Sequence, residues 1–425
     1  MIKIFKFDEL TKDDIFSRTA VKSDVGKIVS EIIADVIENK DAALKKYCEK
    51  FDGAKLSSFK VQEKEIEKAV NAVDKKLIAA IMRSAANVRA FHEKQVREGF
   101  EFVNNDGAVV GQKITPIESV GVYVPGGTAA YPSTVLMDVI PAKIAGVKRI
   151  VMVTPSKNGE VSPVILAAAK IAGVNEIDKV GGAQAIAALA YGTESIKKVD
   201  KIVGPGNAFV AEAKRQVFGK VAIDTIAGPS EILVVSDGKS DPSFVAADLL
   251  SQAEHDKMAS AVLITDDENF AKKVSNEIER QIVLLKRHDI ARSSIDDNGK
   301  IIIAKNVEKA IEIANEIAPE HLELCVDEPF KFLELVKNAG SVFLGRYTPE
   351  ALGDYIAGPN HTLPTNGAAK FSSPLSVDDF IKKTQYVCYD ETAEGKVASD
   401  VAIFAESEGL TAHAESVLIR RKKDE

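Results

Sequence analysis

Gly121-Val-Tyr-Val-Pro-Gly-Gly127 is a short apolar run that stops at a proline and two glycines, and a helical pattern follows it near 133–145. The same unit returns three times. Arg149-Ile-Val-Met-Val153 precedes a helix near 162–172, Asp178-Lys-Val-Gly-Gly182 one near 184–191, and Lys201-Ile-Val-Gly-Pro-Gly-Asn207 one near 208–218. Apolar strands alternating with helices are the βαβ rhythm of a parallel sheet covered on both faces, so the stretch predicts an α/β fold. Glycines at strand ends let backbone approach a ligand at the C-terminal edge of such a sheet. The dinucleotide fingerprint Gly-x-Gly-x-x-Gly is absent, and Gly204-Pro205-Gly206 lacks its third glycine.

A second α/β region follows, with candidate strands Ile232–Val235, Ser260–Thr265, Lys300–Ile303 and Ser341–Leu344, and helices near 242–255, 267–286, 306–317 and 329–338. The chain therefore divides into two incomplete, Rossmann-like α/β domains with parallel-sheet cores. One covers 121–231 and carries the glycine-edged loops; the other joins 21–120 to 232–376. Residues 8–50 read as short helices, 63–97 as a further helical segment, and Asn104-Asn105-Asp106-Gly107 as a hairpin turn. Residues 1–20 are expected to form a helical arm. The tail, 377–425, reads as helix, short strand (Gln385–Tyr389) and helix; it is too small to bury its own core and should dock elsewhere.

Within the second region, Ala318-Pro319-Glu320-His321-Leu322 sets a carboxylate beside an imidazole just after a helix. Pro319 disfavours the α conformation at Ala318, so the chain should turn there and present Glu320 and His321 from a bend. These two side chains are readily tuned to move protons near neutral pH; an ordinary polar connection is the competing reading. Gln252 and His255 would share one face if their segment is helical. With Asp354 and His413 they form a donor set suited to Zn²⁺ or a similar borderline ion. Alternatively, Asp354 caps a turn and His413 packs in a helix interface. His92 and His288 read as surface residues.

Composition narrows the function classes. The 425 residues are 45% hydrophobic and 28% charged, as in ordinary globular proteins. A net charge of −8 with no basic patch argues against a nucleic-acid partner. No apolar run reaches membrane-spanning length, and Met1-Ile-Lys-Ile-Phe-Lys-Phe-Asp8 has no signal-peptide core. Cys48, Cys325 and Cys388 show no metal or redox spacing, which fits free thiols in a reducing cytoplasm.

Several motifs together resemble those of the histidinol dehydrogenases. Ile223-Asp-Thr-Ile-Ala-Gly-Pro-Ser-Glu-Ile-Leu-Val-Val235, running on to Leu249-Leu-Ser-Gln-Ala-Glu-His-Asp256, looks like that family's signature. Gly121–Gly127, Gly181-Gly-Ala-Gln184, Gly204-Pro-Gly-Asn-Ala-Phe209, Ala318–Leu322, Leu352-Gly-Asp-Tyr355 and Gly358-Pro-Asn-His361 match it in order. The resemblance implies NAD-dependent, zinc-dependent four-electron oxidation of L-histidinol to L-histidine through bound L-histidinal, the last step of histidine biosynthesis. It implies one Zn²⁺ per subunit on Gln252, His255, Asp354 and His413, with His321 as general base and Glu320 activating water. It places Ser230, His361 and Glu408 on the substrate together with Gln252, His255, His321, Asp354 and His413, and Tyr123, Gln184 and Asn207 on NAD. It also implies a cytoplasmic homodimer whose arm and tail embrace the partner and complete a shared active site. A thiohemiacetal on Cys325 is the competing mechanism, but Leu324 and Val326 flank that residue, and a buried structural thiol is the expectation. A zinc hydrolase would use the same ligand types, and a two-lobed solute-binding protein would carry an export signal.

Overall fold

The computed structural model describes residues 1–11, 25–126, 130–226 and 228–421. Three sheets organise them. The first is parallel and five-stranded, in the order β6-β5-β4-β7-β8. Its strands are β4 (Ser119–Tyr123), β5 (Arg149–Val153), β6 (Glu176–Asp178), β7 (Lys201–Val203) and β8 (Ala222–Ile223). The second is parallel and six-stranded, in the order β1-β11-β10-β9-β12-β13. It comprises β1 (Lys3–Lys6), β9 (Glu231–Ser236), β10 (Ser260–Thr265), β11 (Lys300–Ile303), β12 (His321–Cys325) and β13 (Ser341–Leu344). The third is antiparallel and joins β2 (Phe100–Val103), β3 (Val109–Pro116) and β14 (Ile381–Cys388). The β2–β3 turn is the expected hairpin, with Asn104 Oδ1 accepting from the Asp106 and Ala108 amides.

Both parallel sheets are sandwiched between helices because their strands are apolar on both faces; all six residues of β9 are buried. In the five-stranded lobe one face is covered by helices Val25–Asp52, Gly182–Tyr191 and Ala208–Val217, the other by Glu63–Ala72, Lys75–His92, Pro132–Ala145 and Pro163–Ala172. In the six-stranded lobe, Pro242–Ala253, Glu268–Ile282 and His288–Asn298 cover one face and Val307–Ile317 the other. Helix starts follow local chemistry. Prolines open three of these helices, and Asp74, Asp241 and Asp267 accept hydrogen bonds from first-turn amides.

Three boundaries differ from expectation. Residues 1–20 begin not with a helical arm but with β1, paired in parallel with β11, while 12–20 lie outside the described residues. Four residues are too few to show a period, and the pairing partner is some 300 positions away. Residues 25–92 pack on the five-stranded lobe rather than joining 232–376, because their apolar stripes meet helices of that lobe. Val25–Asp52 is also one helical run broken at Lys40, where φ is 48°, not several short helices. In the tail, β14 zips onto β3, and helices Glu391–Ser407 and Thr411–Leu418 pack on each other around Ala402, Ala405 and Ala414.

Candidate active site

Both parallel lobes wind in the same sense, with the first two crossovers to one side and the rest to the other, and each has a switch point. In the five-stranded lobe it lies between β4 and β7, whose C-terminal ends carry the glycine loops. Tyr123 closes β4, its hydroxyl accepting from the Gly182 amide at 3.1 Å, and burial pushes the phenol up to about 12. Gln184 is buried, and its Oε1 has no hydrogen-bond partner. Asn207 is exposed and caps the helix after β7, accepting from Phe209 and Val210. Gly204 must be glycine: φ is 111°, and a Cβ would stand 2.1 Å from the Tyr123 carbonyl oxygen. Beneath this turn lies a buried group that sequence reasoning missed. Lys214 donates to the Gly204 carbonyl and pairs with Asp224, which accepts from the Gly204 amide. Gly127, the last glycine of the β4 loop, lies outside the described residues.

The corresponding crevice of the six-stranded lobe, between β9 and β12, is filled. Arg346 bridges Asp237 (2.8 Å) and Asp327 (2.7 Å) and donates to the Cys325 carbonyl and Ser240. In this lobe the reactive side chains gather at the opposite, N-terminal edge of the sheet. The chain leaves β8 of one lobe and enters β9 of the other within a few residues, so this edge faces the first lobe's glycine loops. The Gly228 amide, on that bridge, donates to Thr365 at 2.7 Å.

Glu320 and His321 stand at this edge. Ala318 ends the preceding helix in the left-handed conformation (φ 53°), and after Pro319 the chain turns into β12, a strand the sequence reading did not assign. The Glu231 backbone in β9 holds both side chains: its N–H donates to Glu320 Oε2 at 2.9 Å, and its carbonyl lies 2.9 Å from His321 Nδ1. Nδ1 must therefore carry the proton, which leaves Nε2 with a free lone pair. That Nε2 is buried, hydrogen-bonds to nothing, and lies 3.9 Å from Asp354. Burial holds the imidazole below its ordinary range, against the pull of Asp354 and the Glu231 carbonyl, so it is neutral. Burial also drives the Glu320 carboxyl well above its ordinary range, helped by the charges of Glu231, Asp354 and Glu350 and opposed by the Glu231 N–H.

Asp354 lies in the short helix Glu350–Tyr355. Burial works to raise its carboxyl, but the bond to His361, with Nδ1 at 3.5 Å, and the nearby His361 and His321 rings hold it low. Glu350, one turn earlier, is buried and pushed up to about 9 by burial and by Asp354. It bonds to Asp354 and accepts from Ser251 at 3.1 Å. His321, Glu350 and Asp354 bring ligand-type atoms within 4.8 Å of one another. The i,i+4 spacing of Glu350 and Asp354 is the one sequence signal that could have pointed to Glu350. Helix Pro242–Ala253 stops short of His255, which sits in the following turn with its amide bonded to the Gln252 carbonyl. Gln252 is buried with Oε1 unpartnered, and His255, lowered by burial, feels the charges of Asp354 and His361. Ser230 lies just before β9, half-buried.

Gln252, His255, His321, Asp354 and His361 thus converge, and three buried acceptors, Gln252 Oε1, His321 Nε2 and His361 Nε2, have no partner in the protein. Unpaired buried acceptors of this kind suit a cation or a donor-rich ligand. Glu408 and His413 are not among them within one chain; both are exposed on the tail's helix pair, which packs on the hairpin near Asp106 and Gly107.

The family model described as histidinol dehydrogenase matches residues 17–421. The chain belongs to the histidinol dehydrogenase family. A histidinol dehydrogenase of Bacillus cereus is 54% identical over 404 residues, 95% of this chain and 94% of that protein. One of Geobacillus kaustophilus is 53% identical over 400 residues, 94% of each. The crystal structure of histidinol dehydrogenase from Elizabethkingia anophelis superposes with a TM-score of 0.95 at 39% identity, covering 99% of this chain and 98% of that one. The protein is therefore a dehydrogenase with this family's α/β fold, and among its described residues no helix is long and apolar enough to cross a membrane.

Three expectations about single residues meet different fates. Cys325 is buried, and burial pushes its thiol far above the ordinary range, as a structural cysteine should be. His92, read as a surface residue, is fully buried. The loop that covers it comes from 268 residues further on, beyond the reach of local pattern. His288 is exposed as expected, although it opens a helix rather than lying in a loop.

Proposed function

We propose that the protein oxidises L-histidinol to L-histidine, the last step of histidine biosynthesis, with the bare Nε2 of His321 as the group that carries the reaction. In the first oxidation His321 Nε2 takes the hydroxyl proton as the carbinol carbon gives up a hydride, leaving bound L-histidinal. Water then adds to the aldehyde, its proton passing to Glu320 in carboxylate form. Once His321 has released the first proton to water, it again takes a hydroxyl proton in the second oxidation as the hydrate loses a hydride, and the acid is formed. Bound NAD⁺ supplies the acceptor for both hydrides, and a bound Zn²⁺ supplies Lewis-acid anchorage for the substrate's nitrogen donors.

Tyr123, Gln184 and Asn207 are assigned to NAD⁺, supported by their place at the glycine-edged switch point between β4 and β7 and by the unpartnered Gln184 Oε1. Gln252, His255 and Asp354 are assigned to the metal, supported by their burial and unsatisfied donor atoms. His413 is the fourth ligand, contributed with the substrate contact Glu408 by the tail of a second copy in a cytoplasmic homodimer with one Zn²⁺ per subunit. In support, the tail and its neighbours expose Phe100, Phe102, Val387, Ile403 and Phe404 in one chain. Ser230 and His361 complete the substrate site.

The deciding experiment adds L-histidinol and NAD⁺ to the metal-loaded protein and follows nicotinamide reduction. Two NADH per histidine formed is the expected result. Hydrolysis of test esters or amides without nicotinamide reduction would assign the same residues to a zinc hydrolase instead.

A further inference from the structure

Gly358 and Asn360 of the Gly358-Pro-Asn-His361 turn are pressed against the other lobe. Helix Lys75–His92 runs along it. Asn87 Nδ2 donates to the Ile356 carbonyl at 2.7 Å, and Gly358, at φ 110°, lies so close that a Cβ would stand 2.7 Å from the Asn87 carbonyl oxygen. Asn360 is buried and its amide can point only one way. Nδ2 donates to the Met137 carbonyl at 2.7 Å, and Oδ1 accepts from the Thr362 amide at 2.8 Å. The second hydrogen of Nδ2 faces His92 Nε2 at 3.3 Å. His92 Nδ1 lies 2.8 Å from the Val88 carbonyl, so Nδ1 carries the proton and Nε2 is free to accept. Burial favours that neutral form, although the Val88 and Leu375 carbonyls pull the other way. On the far side of His361, Thr362 Oγ1 donates to Asp138 at 3.1 Å.

We propose that His92 is a positioning residue for the reaction. As a neutral acceptor, it locks the Asn360 amide onto the Met137 carbonyl and so fixes where His361 stands relative to Asp354. Without that acceptor, one Nδ2 hydrogen of Asn360 is buried without a partner, and the turn can relax by swinging the amide away. His361 then leaves its place beside Asp354, while the NAD⁺ crevice between β4 and β7 does not change. The effect is therefore selective for the amino alcohol. The inference rests on the reading above that His361 meets the substrate.

The test compares two variants of the full-length, metal-loaded enzyme. His92→Phe keeps the ring volume and the edge contact with Phe91, whose ring centre lies 5.3 Å away, but removes the acceptor. His92→Gln can place an amide oxygen where Nε2 was. The expected result for His92→Phe is a KM for histidinol raised about tenfold, the scale of one buried hydrogen-bonding group left unpaired. The KM for NAD⁺ should stay within about twofold, and His92→Gln should recover most of the loss. Asn360→Asp, which removes both Nδ2 donors from the other end, should copy His92→Phe and serves in its place if that variant does not fold. The inference is overturned if these variants bind histidinol like the wild type. It is also overturned if Phe and Gln at 92 are equally impaired, or if the parameters for histidinol and NAD⁺ fall together. A wild type that does not reduce NAD⁺ with histidinol removes the functional reading and this inference with it, whereas an active wild type with indifferent variants removes only the inference.

Discussion

The backbone of a single residue, Glu231, holds both side chains proposed to react: its carbonyl selects the His321 tautomer and its N–H grips Glu320. General-base catalysis of this kind contributes about 10²–10⁴ in rate, so His321→Asn should lower kcat by that order on histidinol and on histidinal alike. Glu320→Gln keeps an acceptor for the Glu231 N–H but cannot take a proton. It should slow histidinal oxidation at least about tenfold more than the first oxidation. Single-turnover rates on the two substrates decide this, and equal losses would remove the water-activating role. Cys325→Ala should leave both oxidations nearly intact, because the thiol is buried beside Glu323 and held protonated. Loss of turnover with folding preserved would revive the thiohemiacetal route.

The two lobes place these groups at opposite edges of their sheets, C-terminal for the glycine loops and N-terminal for Glu320 and His321. The residues assigned above to the metal and to NAD⁺ therefore stand on different elements. A chelator should abolish turnover while NAD⁺ titrated into the metal-free protein binds within about threefold of its original affinity; loss of both together would contradict separate sites. The helix ending at Ala318 invites a second measurement. Its left-handed conformation (φ 53°) costs an alanine about 1 kcal/mol that glycine avoids, partly offset by glycine's freer unfolded chain. Ala318→Gly should thus raise the melting temperature slightly, by about 1 °C, with kcat retained. A large fall in kcat would mean that the cap's rigidity, and not only its shape, aims Glu320.

At the scale of the whole molecule, the tail decides whether one chain suffices. His255→Ala and His413→Ala should each be inactive as homodimers. Mixed after unfolding and refolded together, they should regain up to ~25% of sites, since about half of random dimers are mixed and each then holds one intact site. No recovery in proven heterodimers would place His413 in its own chain's site. Acid–base balance gives a second global prediction. Glu350 is pushed up to about 9, chiefly by burial, and Asp138 to about 7 by burial and the Asp224 charge. Each keeps a proton that the unfolded chain has lost, so stability falls as pH climbs from the unfolded value toward the folded one. His92, His255 and His321 are lowered from 6.5 and so cost stability only below that pH. Above pH 6.5 the histidines no longer oppose the carboxyls, and Asp138 acts up to about pH 7 and Glu350 up to about pH 9, each at up to about 1.4 kcal/mol per pH unit. Thermal unfolding should show a declining melting temperature across that range, flattened in Glu350→Gln.

What the sequence alone determined is whatever chemistry writes locally: apolar runs punctuated by glycine became the β4–β7 crevice, Asn104–Gly107 the hairpin, and Pro319 the turn that frees Glu320 and His321. The motif string was also enough to name the family, because many short matches in order are far more specific than one. Tertiary structure alone decided where distant pieces meet. It moved helices 25–92 to the five-stranded lobe and put β1 on the far edge of the six-stranded one. It buried His92 under a turn 268 residues away and filled one of two equivalent crevices with Arg346. Each of these depends on long-range packing and on which polar groups find partners when water is excluded, and neither quantity exists until the chain has folded.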